Sequence, residues 1–224
     1  KNFKYKFKKI ELKTFHHLIL YTMNLTNVEY TVKEANVIVF ENFLKMLQRR
    51  TYINDYTSIF DNQKGDIIPN KSLSITVDTG AKILFYIING DVRSITNKSP
   101  LDEFLSSNTN ILKFLIIKGP SKKVFKQVNE NYPNSELFFF HEFMEDIPTK
   151  DFIPKHSILN SSDKDELLQY INIKNLKRIY TTDMMSRYFN AKVGDVFRIE
   201  RLNITSGHGV DYRVVVPGKI DMIF

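Results

Sequence analysis

Apolar and polar positions change period several times along the chain, and each change marks an element. From Leu12 to Leu25 the apolar residues Phe15, Leu18, Ile19 and Met23 share one side of a helix. Thr31-Val32-Lys33-Glu34 is a capping box, a hydroxyl at the N-cap and a carboxylate three residues on. It predicts a helix to about Arg50, with Val37, Phe40, Leu44 and Leu47 buried. Tyr52 to Pro69 is polar and turn-rich and reads as a loop. Leu73–Val77 and Ile83–Ile88 are β-rich runs on either side of Asp78-Thr79-Gly80, a hairpin signal. Ser99-Pro100 places a cap before a proline at the first helical position, so Leu101–Leu105 continues a short helix. Ile111–Ile117 is a nearly continuous apolar strand, Ser121–Tyr132 a helix, and Leu137–Phe143 a second buried strand. Strand, helix, strand at this spacing is a βαβ unit, so part of the sheet is expected to be parallel.

Past Pro148 the pattern restarts. Phe152-Ile153-Pro154 suggests a short strand ending near His156, because the residue before proline is biased to extended backbone. Ser161 or Ser162 can cap a helix with Asp163, Asp165 and Glu166 in its first turn, where the helix dipole favours carboxylates. Leu167, Leu168 and Ile171 form its apolar face. A shorter helix starts near Thr182–Asp183 and carries Met184, Met185, Tyr188 and Phe189. Gly194-Asp195 marks a turn, Val196 to Arg201 alternates as a half-buried strand, and Val210–Val216 pairs back across a polar loop, Asn203–Gly209.

The stretch from Asp151 to Val216 resembles the C-terminal domain of the fifth-largest subunit of eukaryotic nuclear RNA polymerases, which has a small archaeal equivalent. Pro154-Lys155-His156 matches the family's Pro-x-His; Asp183, Arg187 and Tyr188 match Asp-Pro-x-x-Arg-Tyr. Gly194 with Val196–Arg201 matches Gly-x-Val-x-x-Ile-x-Arg, and Gly207, Tyr212 and Arg213 match the closing Gly…Tyr-Arg. Three positions depart from that pattern: Lys150 stands where the family has a histidine, Met184 where it has a proline, and Asn190 where it has a glycine. Asparagine also adopts the left-handed cap conformation.

The resemblance implies an α/β fold in two domains. Residues 1–146 form N-terminal helices plus a mixed α/β sheet, a jaw-like domain. Residues 147–224 form a small mixed α/β assembly domain ending in a β-hairpin, joined to it near Glu145–Lys150. It further implies a non-catalytic subunit of a DNA-dependent RNA polymerase that needs no cofactor, because polymerisation belongs to the two largest subunits. Its partners would be the largest subunit, other polymerase subunits and, weakly, downstream duplex DNA. Pro154, His156, Asp183, Arg187, Tyr188, Arg201, Tyr212 and Arg213 are the candidates for docking, although such arginines also serve internal ion pairs. Gly194 and Gly207 are the positions whose backbone needs glycine.

Charge placement refines this picture. The net charge is +7, but residues 1–13 alone hold six Lys against one Glu, whereas residues 14–147 hold 14 basic and 15 acidic side chains. A basic arm beside a near-neutral body is not a domain with one broad positive face. The arm, KNFKYKFKK, is compatible with an edge strand or a disordered tail. Lys4, Lys6, Lys8 and Lys9 are its candidates for nucleic-acid contact, with Phe3, Tyr5 and Phe7 able to stack on bases. A free-standing nucleic-acid-binding module built on that arm is the alternative function; a simple solvated terminus is the bland one. The chain has no cysteine, which excludes disulfides and thiolate metal sites and fits an intracellular protein. No apolar run reaches membrane-spanning length and no secretory signal is evident. Heavy use of Lys, Asn and Ile fits an AT-rich genome, favouring a large DNA virus over a cellular parasite. The expected location is then the virion and viral factory, or the nucleus for a cellular source.

Other chemistries fall short. His141-Glu142-Phe143-Met144-Glu145 lacks the second histidine of a zinc-protease helix and lies in an expected strand. Asp78 and Lys82 lack the further carboxylate that a metal nuclease needs. Ser206-Gly207-His208-Gly209 joins two strands and lacks the Lys-Ser/Thr of a phosphate loop. His16-His17 are adjacent, so on a helix they diverge by about 100° and make poor co-ligands.

Overall fold

A computed structural model describes residues 30–203 and 207–224. The expected Leu12–Leu25 helix, the basic arm with Lys4, Lys6, Lys8 and Lys9, and the His16-His17 pair lie outside the described residues. The capping box forms as read: Thr31 N donates to Glu34 Oε2 at 2.8 Å, and Glu34 N to Thr31 Oγ1 at 3.2 Å. It starts helix α1, Val32–Arg49. The buried face of α1 is shifted from the expected one. Val39, Phe40, Phe43, Leu44, Met46 and Leu47 are buried, while Val37 is half-exposed.

The expected loop between Tyr52 and Pro69 contains a helix, α2, Tyr56–Gln63. Asp55 caps it, accepting from Thr57 N at 2.9 Å, and Tyr56, Ile59 and Phe60 pack on the core at helical spacing. The aromatic and aliphatic positions i, i+3 and i+4 outweigh the polar composition around them.

Strands β1 (Ser72–Thr76) and β2 (Lys82–Val92) form the expected antiparallel hairpin, with Gly80 at φ +80° in its turn. Helix α3 (Pro100–Ser106) is capped by Ser99 Oγ, which accepts from Asp102 N at 3.1 Å. Strand β3 (Leu112–Pro120), helix α4 (Lys122–Asn131) and strand β4 (Ser135–Phe139) are the βαβ unit, and β2, β3 and β4 run parallel. The sheet order is β1-β2-β3-β4. Strand β3 explains its own composition: Phe114 and Ile116 enter the core under α1, whereas Leu115 and Ile117 enter the core under α3 and α4. A strand covered on both faces has no polar side to alternate with. The lysine in this run, Lys113, is 1% exposed. Its ammonium donates to Leu105 O at 2.5 Å and to Ser107 O, carbonyls at the C-terminal end of α3, where the helix dipole favours a cation. Burial pushes its pKa down.

Strand β4 stops earlier than the apolar run Leu137–Phe143 suggests. The chain turns at Phe140–Phe143 into a 3₁₀ turn, so His141 and Glu142 stand on that turn and not in a strand. Glu142 Oε2 accepts from Phe139 N at 2.9 Å and thereby stabilises the change of direction.

The second sheet has order β5-β7-β8-β6. Strand β5 (Lys155–Ile158) begins after Pro154 instead of ending near His156, since proline ends the constraint it imposes on its predecessor. Helix α5 (Ser161–Tyr170) is capped by Asn160, not by Ser161 or Ser162. No residue of α5 is buried; Leu167 and Leu168 are only half-covered and Tyr170 is 80% exposed. Strand β6 (Lys177–Tyr180) runs parallel to β8, and helix α6 (Met184–Tyr188) is capped by Asp183. Asn190 sits at φ 52°, the left-handed conformation that the resemblance places there. Strands β7 (Val196–Asn203) and β8 (Gly207–Val216) form the hairpin, extending into what reads as a loop in the sequence. The chain then continues past the hairpin through a 3₁₀ turn, Ile220–Met222. Two small cores serve this sheet: Ile179, Ala191, Phe197, Ile199 and Val215 on one side, Leu176, Val196 and Val214 on the other.

Candidate assembly surface of the C-terminal module

The positions singled out by motif divide into an outward group and an inward group. Of the outward group, Pro154 and Arg201 line an open cleft of about 520 Å³, together with Asp151, Phe152, Ile153, Lys155, Glu200 and His208. Antiparallel pairing of β5 with β7 places Lys155 opposite Glu200 and His156 opposite Ile199, which brings Pro154 beside Arg201. Arg201 is exposed, and Phe152 at the cleft is 78% exposed. By motif, Phe152 is only a lead into Pro154; its exposure is a tertiary fact with no local signature.

His156, the next residue of β5 after Lys155, is half-buried and does not line the cleft. Its Nδ1 is 2.6 Å from Pro154 O, which only accepts, so Nδ1 carries the proton. Its ring meets Phe197 edge-on at 5.8 Å between centroids. Burial holds its pKa below the usual histidine value, against the pull of the Pro154 carbonyl and Asp183. Arg213 and Arg201 push in the same direction as burial. A histidine whose folded pKa is depressed favours folding while neutral. Stability should therefore be full above the unfolded pKa of about 6.5 and fall as pH drops through it, flattening below the depressed folded value. His156→Phe should remove that part of the slope in thermal melts recorded between about pH 7.5 and 5. An unchanged slope would assign the titration to another group.

Arg213 and Tyr212 belong to β8. Arg213 Nε donates to Asp211 Oδ2 at 3.3 Å, and Lys177 Nζ lies 3.1 Å from Asp211 Oδ1. Burial pushes the Asp211 carboxyl up, but Lys177 and Arg213 together hold it below its usual value. Tyr212 is half-buried with Leu159, Leu167, Tyr170 and Arg198 around a second, smaller cleft beside α5. Gly194 (φ +93°) and Gly207 (φ +71°) occupy the left-handed region, which favours glycine.

Arg187 and Tyr188 face inward, onto the first sheet. Arg187 is paired with Glu142, and the two side chains are only 12% and 8% exposed. Its guanidinium lies 5.5 Å from the ring centre of Phe138 and 5.8 Å from that of Phe125. Tyr188 is 2% exposed and joins the core beneath α1. Arg49 donates to its hydroxyl at 2.6 Å and forks onto Asp146 at 2.6 and 2.7 Å. Burial pushes the Tyr188 phenol up to about 12, with Arg49 opposing. The bond to Asp146 raises the Arg49 pKa. Arg50 completes the seam: it forks onto Glu136 at 3.0 and 2.8 Å and donates to Arg187 O and Tyr188 O, each at 2.6 Å. Those carbonyls end α6, so a cation there also meets the negative end of the helix dipole. Asp183 is engaged as the cap of the same helix, accepting from Met185 N at 2.9 Å. No motif marks Arg49 or Arg50; two arginines closing the α1 pattern are the only local hint.

Among the described residues, no three His, Asp or Glu side chains gather as a metal ion would need, and no helix is long and apolar enough to cross a membrane.

Comparison with known proteins reaches this region and, for one relative, most of the chain. The family model for "RNA polymerase Rpb5, C-terminal domain" matches residues 145–215. DNA-directed RNA polymerase subunit 5 of Acanthamoeba polyphaga mimivirus is 30% identical over 192 residues, covering 80% of this chain and 91% of that protein. DNA-directed RNA polymerase subunit Rpo5 of the archaeon Thermofilum pendens is 36% identical over 75 residues, which are 33% of this chain but 94% of the archaeal one. The RPABC1 subunit of RNA polymerases I, II and III of Caenorhabditis elegans is 35% identical over 83 residues, 39% of its length. With a viral relative matched over nearly its whole length and the C-terminal module matched by the family model, this chain belongs to the RNA polymerase subunit 5 family.

Proposed function

We propose that the chain is a non-catalytic subunit of a multisubunit DNA-dependent RNA polymerase, anchored by its C-terminal module to the largest subunit, with the N-terminal sheet held near downstream duplex DNA. One observation carries the division of labour. Archaeal relatives are matched over almost their full length by about a third of this chain, and the family match spans residues 145–215. The module they share is the part sufficient for assembly, so the docking surface is assigned to residues 147–224. The domain comprising residues 1–146 is then an addition that shapes the path of the template. The viral relative supports a viral polymerase; assembly in the infected cell and carriage in the virion are part of the same proposal.

Within the module the docking function is assigned to the cleft bearing Phe152, Pro154 and Arg201, with His156 and Arg213 on the strands either side of β7 and Tyr212 at the separate cleft beside α5. Arg187 and Tyr188 support that surface from behind. The test is a pull-down with tagged largest subunit, after each variant's melt confirms folding. Arg201→Ala and Phe152→Ala should each weaken binding by about 2 kcal/mol or more, the usual cost of removing an interface anchor or one partner of a desolvated charge pair. Arg201→Lys should restore only part of the loss, because an ammonium cannot reproduce a planar fork. Deleting Lys1 to Lys9 should leave incorporation intact. Normal assembly of both folded variants, together with failure of the arm deletion, would move the docking surface to the other end of the chain.

A further inference from the structure

Residues 217–224 lie beyond the family match, which ends at residue 215, and they do not stay with the sheet that precedes them. The segment first touches the C-terminal module: Gly218 N donates to Thr181 Oγ1 at 2.9 Å. It then crosses to the first sheet. Ile220 and Ile223 pack on the core beneath α3 and α4, and Phe224 lies 6.0 Å from the Phe125 ring and 5.4 Å from the Phe139 ring. Asp221 pairs with Lys122 in the first turn of α4, and that bond holds its carboxyl below the usual value.

The geometry gives this contact a mechanical meaning. The arginine seam joins the second sheet to the first by way of α1 and Glu136. The 217–224 segment joins the same two sheets through α4, packed on the opposite face of the first sheet. Arg187 in the seam already reaches Phe125 on α4 and Phe139, so the segment adds a second attachment on that face, set apart from α6. The second attachment is also the weaker. Ile220 and Ile223 are half-covered, Phe224 is 51% exposed, and Asp221 with Lys122 is a solvated pair that contributes little. Beneath it lies a cavity of about 250 Å³ lined in part by Thr181, Thr182, Ser186 and Arg187. Ser186 Oγ and Arg187 Nε, both buried there, find no partner within the protein. The inner side of the contact is thus lined by polar as well as apolar groups and is not a sealed core, which lowers the cost of lifting it.

We propose that residues 217–224 are a releasable strap that sets the angle between the two sheets, and hence the placement of the N-terminal sheet relative to the module that matches the polymerase family. The strap rests on contacts within this chain and does not depend on what the module docks to.

Gly218 supplies a point variant. A Cβ there would collide with the Thr182 hydroxyl and approach its Cγ2 at 2.9 Å and its Cβ at 3.0 Å. Rotating the threonine moves only one of these two γ atoms away at a time, so one stays in conflict, whereas the Cβ contact alone asks for a shift of a few tenths of an ångström. Gly218→Ala should lift the strap, and Thr182→Ala in the same chain should let it reseat. The sequence has no cysteine, so Lys82→Cys on the first sheet and Asp165→Cys on α5 accept spin labels without interference. Pulsed electron–electron distance measurement should give one narrow distribution in the labelled parent. It should broaden in Gly218→Ala and after removal of residues 217–224, and narrow again in Gly218→Ala/Thr182→Ala. Parent-like widths in both loosened variants, or broadening by Gly218→Ala that Thr182→Ala fails to reverse, would overturn the strap. The point variants keep the test decisive even where the deletion impairs folding.

Discussion

Replacing Arg187 with alanine should cost about 3–5 kcal/mol of folding stability, because it leaves the nearly buried Glu142 carboxylate without its counter-charge. The guanidinium also lies over the rings of Phe138, Phe125 and Phe139, so truncation removes packing along with charge. Arg187→Met combined with Glu142→Gln should recover much of the loss. The methionine restores apolar volume, and the amide oxygen of glutamine still accepts from Phe139 N. Replacing both members of a buried pair is far milder than orphaning one of them. Urea unfolding of the single and double variants measures the difference. An Arg187→Ala chain as stable as the parent, impaired only in binding to the largest subunit, would show that the residue serves the interface and not the interior.

This position illustrates how far sequence reading reaches. The Arg-Tyr pair is legible as a motif, and the resemblance assigns both residues to partner contact. Which way they point depends on Glu142 and Asp146 and on two arginines at the end of α1. Arg187 is 45 positions from Glu142, and Arg50 is 86 from Glu136. Ion pairs at such separations leave no periodic trace, because only the tertiary fold brings them together. Local chemistry is legible where it is self-contained. The Thr31–Glu34 box, the Ser99 cap before Pro100, the Gly80 turn and the left-handed Asn190 each depend on a few consecutive residues. The βαβ unit is legible because β3 carries the continuous apolar run that burial on two faces demands. Helix α2 is hidden because polar residues fill most of Tyr52–Pro69, although Asp55 followed by Tyr56, Ile59 and Phe60 is a capped amphipathic turn. On the candidate surface, Pro154, His156 and Arg201 carry motif signatures and their neighbour Phe152 does not. Exposure of an aromatic residue is a property of the finished surface.

The two sheets have separate cores, and this should make large-to-small substitutions in them separable. Phe43 is fully buried, with ring centres of Phe85 at 4.8 Å, Phe114 at 5.0 Å and Phe143 at 6.1 Å. Phe197 is fully buried in the other sheet, against His156 at 5.8 Å and Phe189 at 6.1 Å. Either residue replaced by alanine should cost about 3–5 kcal/mol, a transfer loss plus an incompletely collapsed cavity. Hydrogen exchange resolved by segment should differ between them. Phe197→Ala should raise exchange in β5 to β8 and leave β2 and β3 protected. Phe43→Ala should raise it in β1 to β4 and also in α6, since Tyr188 is part of the core that Phe43 occupies and Phe189 packs on both. The asymmetry follows from where Tyr188 is buried: the second sheet lends a side chain to the first core and receives none from it in the Phe197 cluster. In pull-downs at a temperature where both variants stay folded, Phe197→Ala should lose the largest subunit first, because it loosens the strand pair that carries Arg201. Equal exchange across all eight strands in both variants would mean that the chain opens as one cooperative block, and the assignment of docking to a separable module would fail with it.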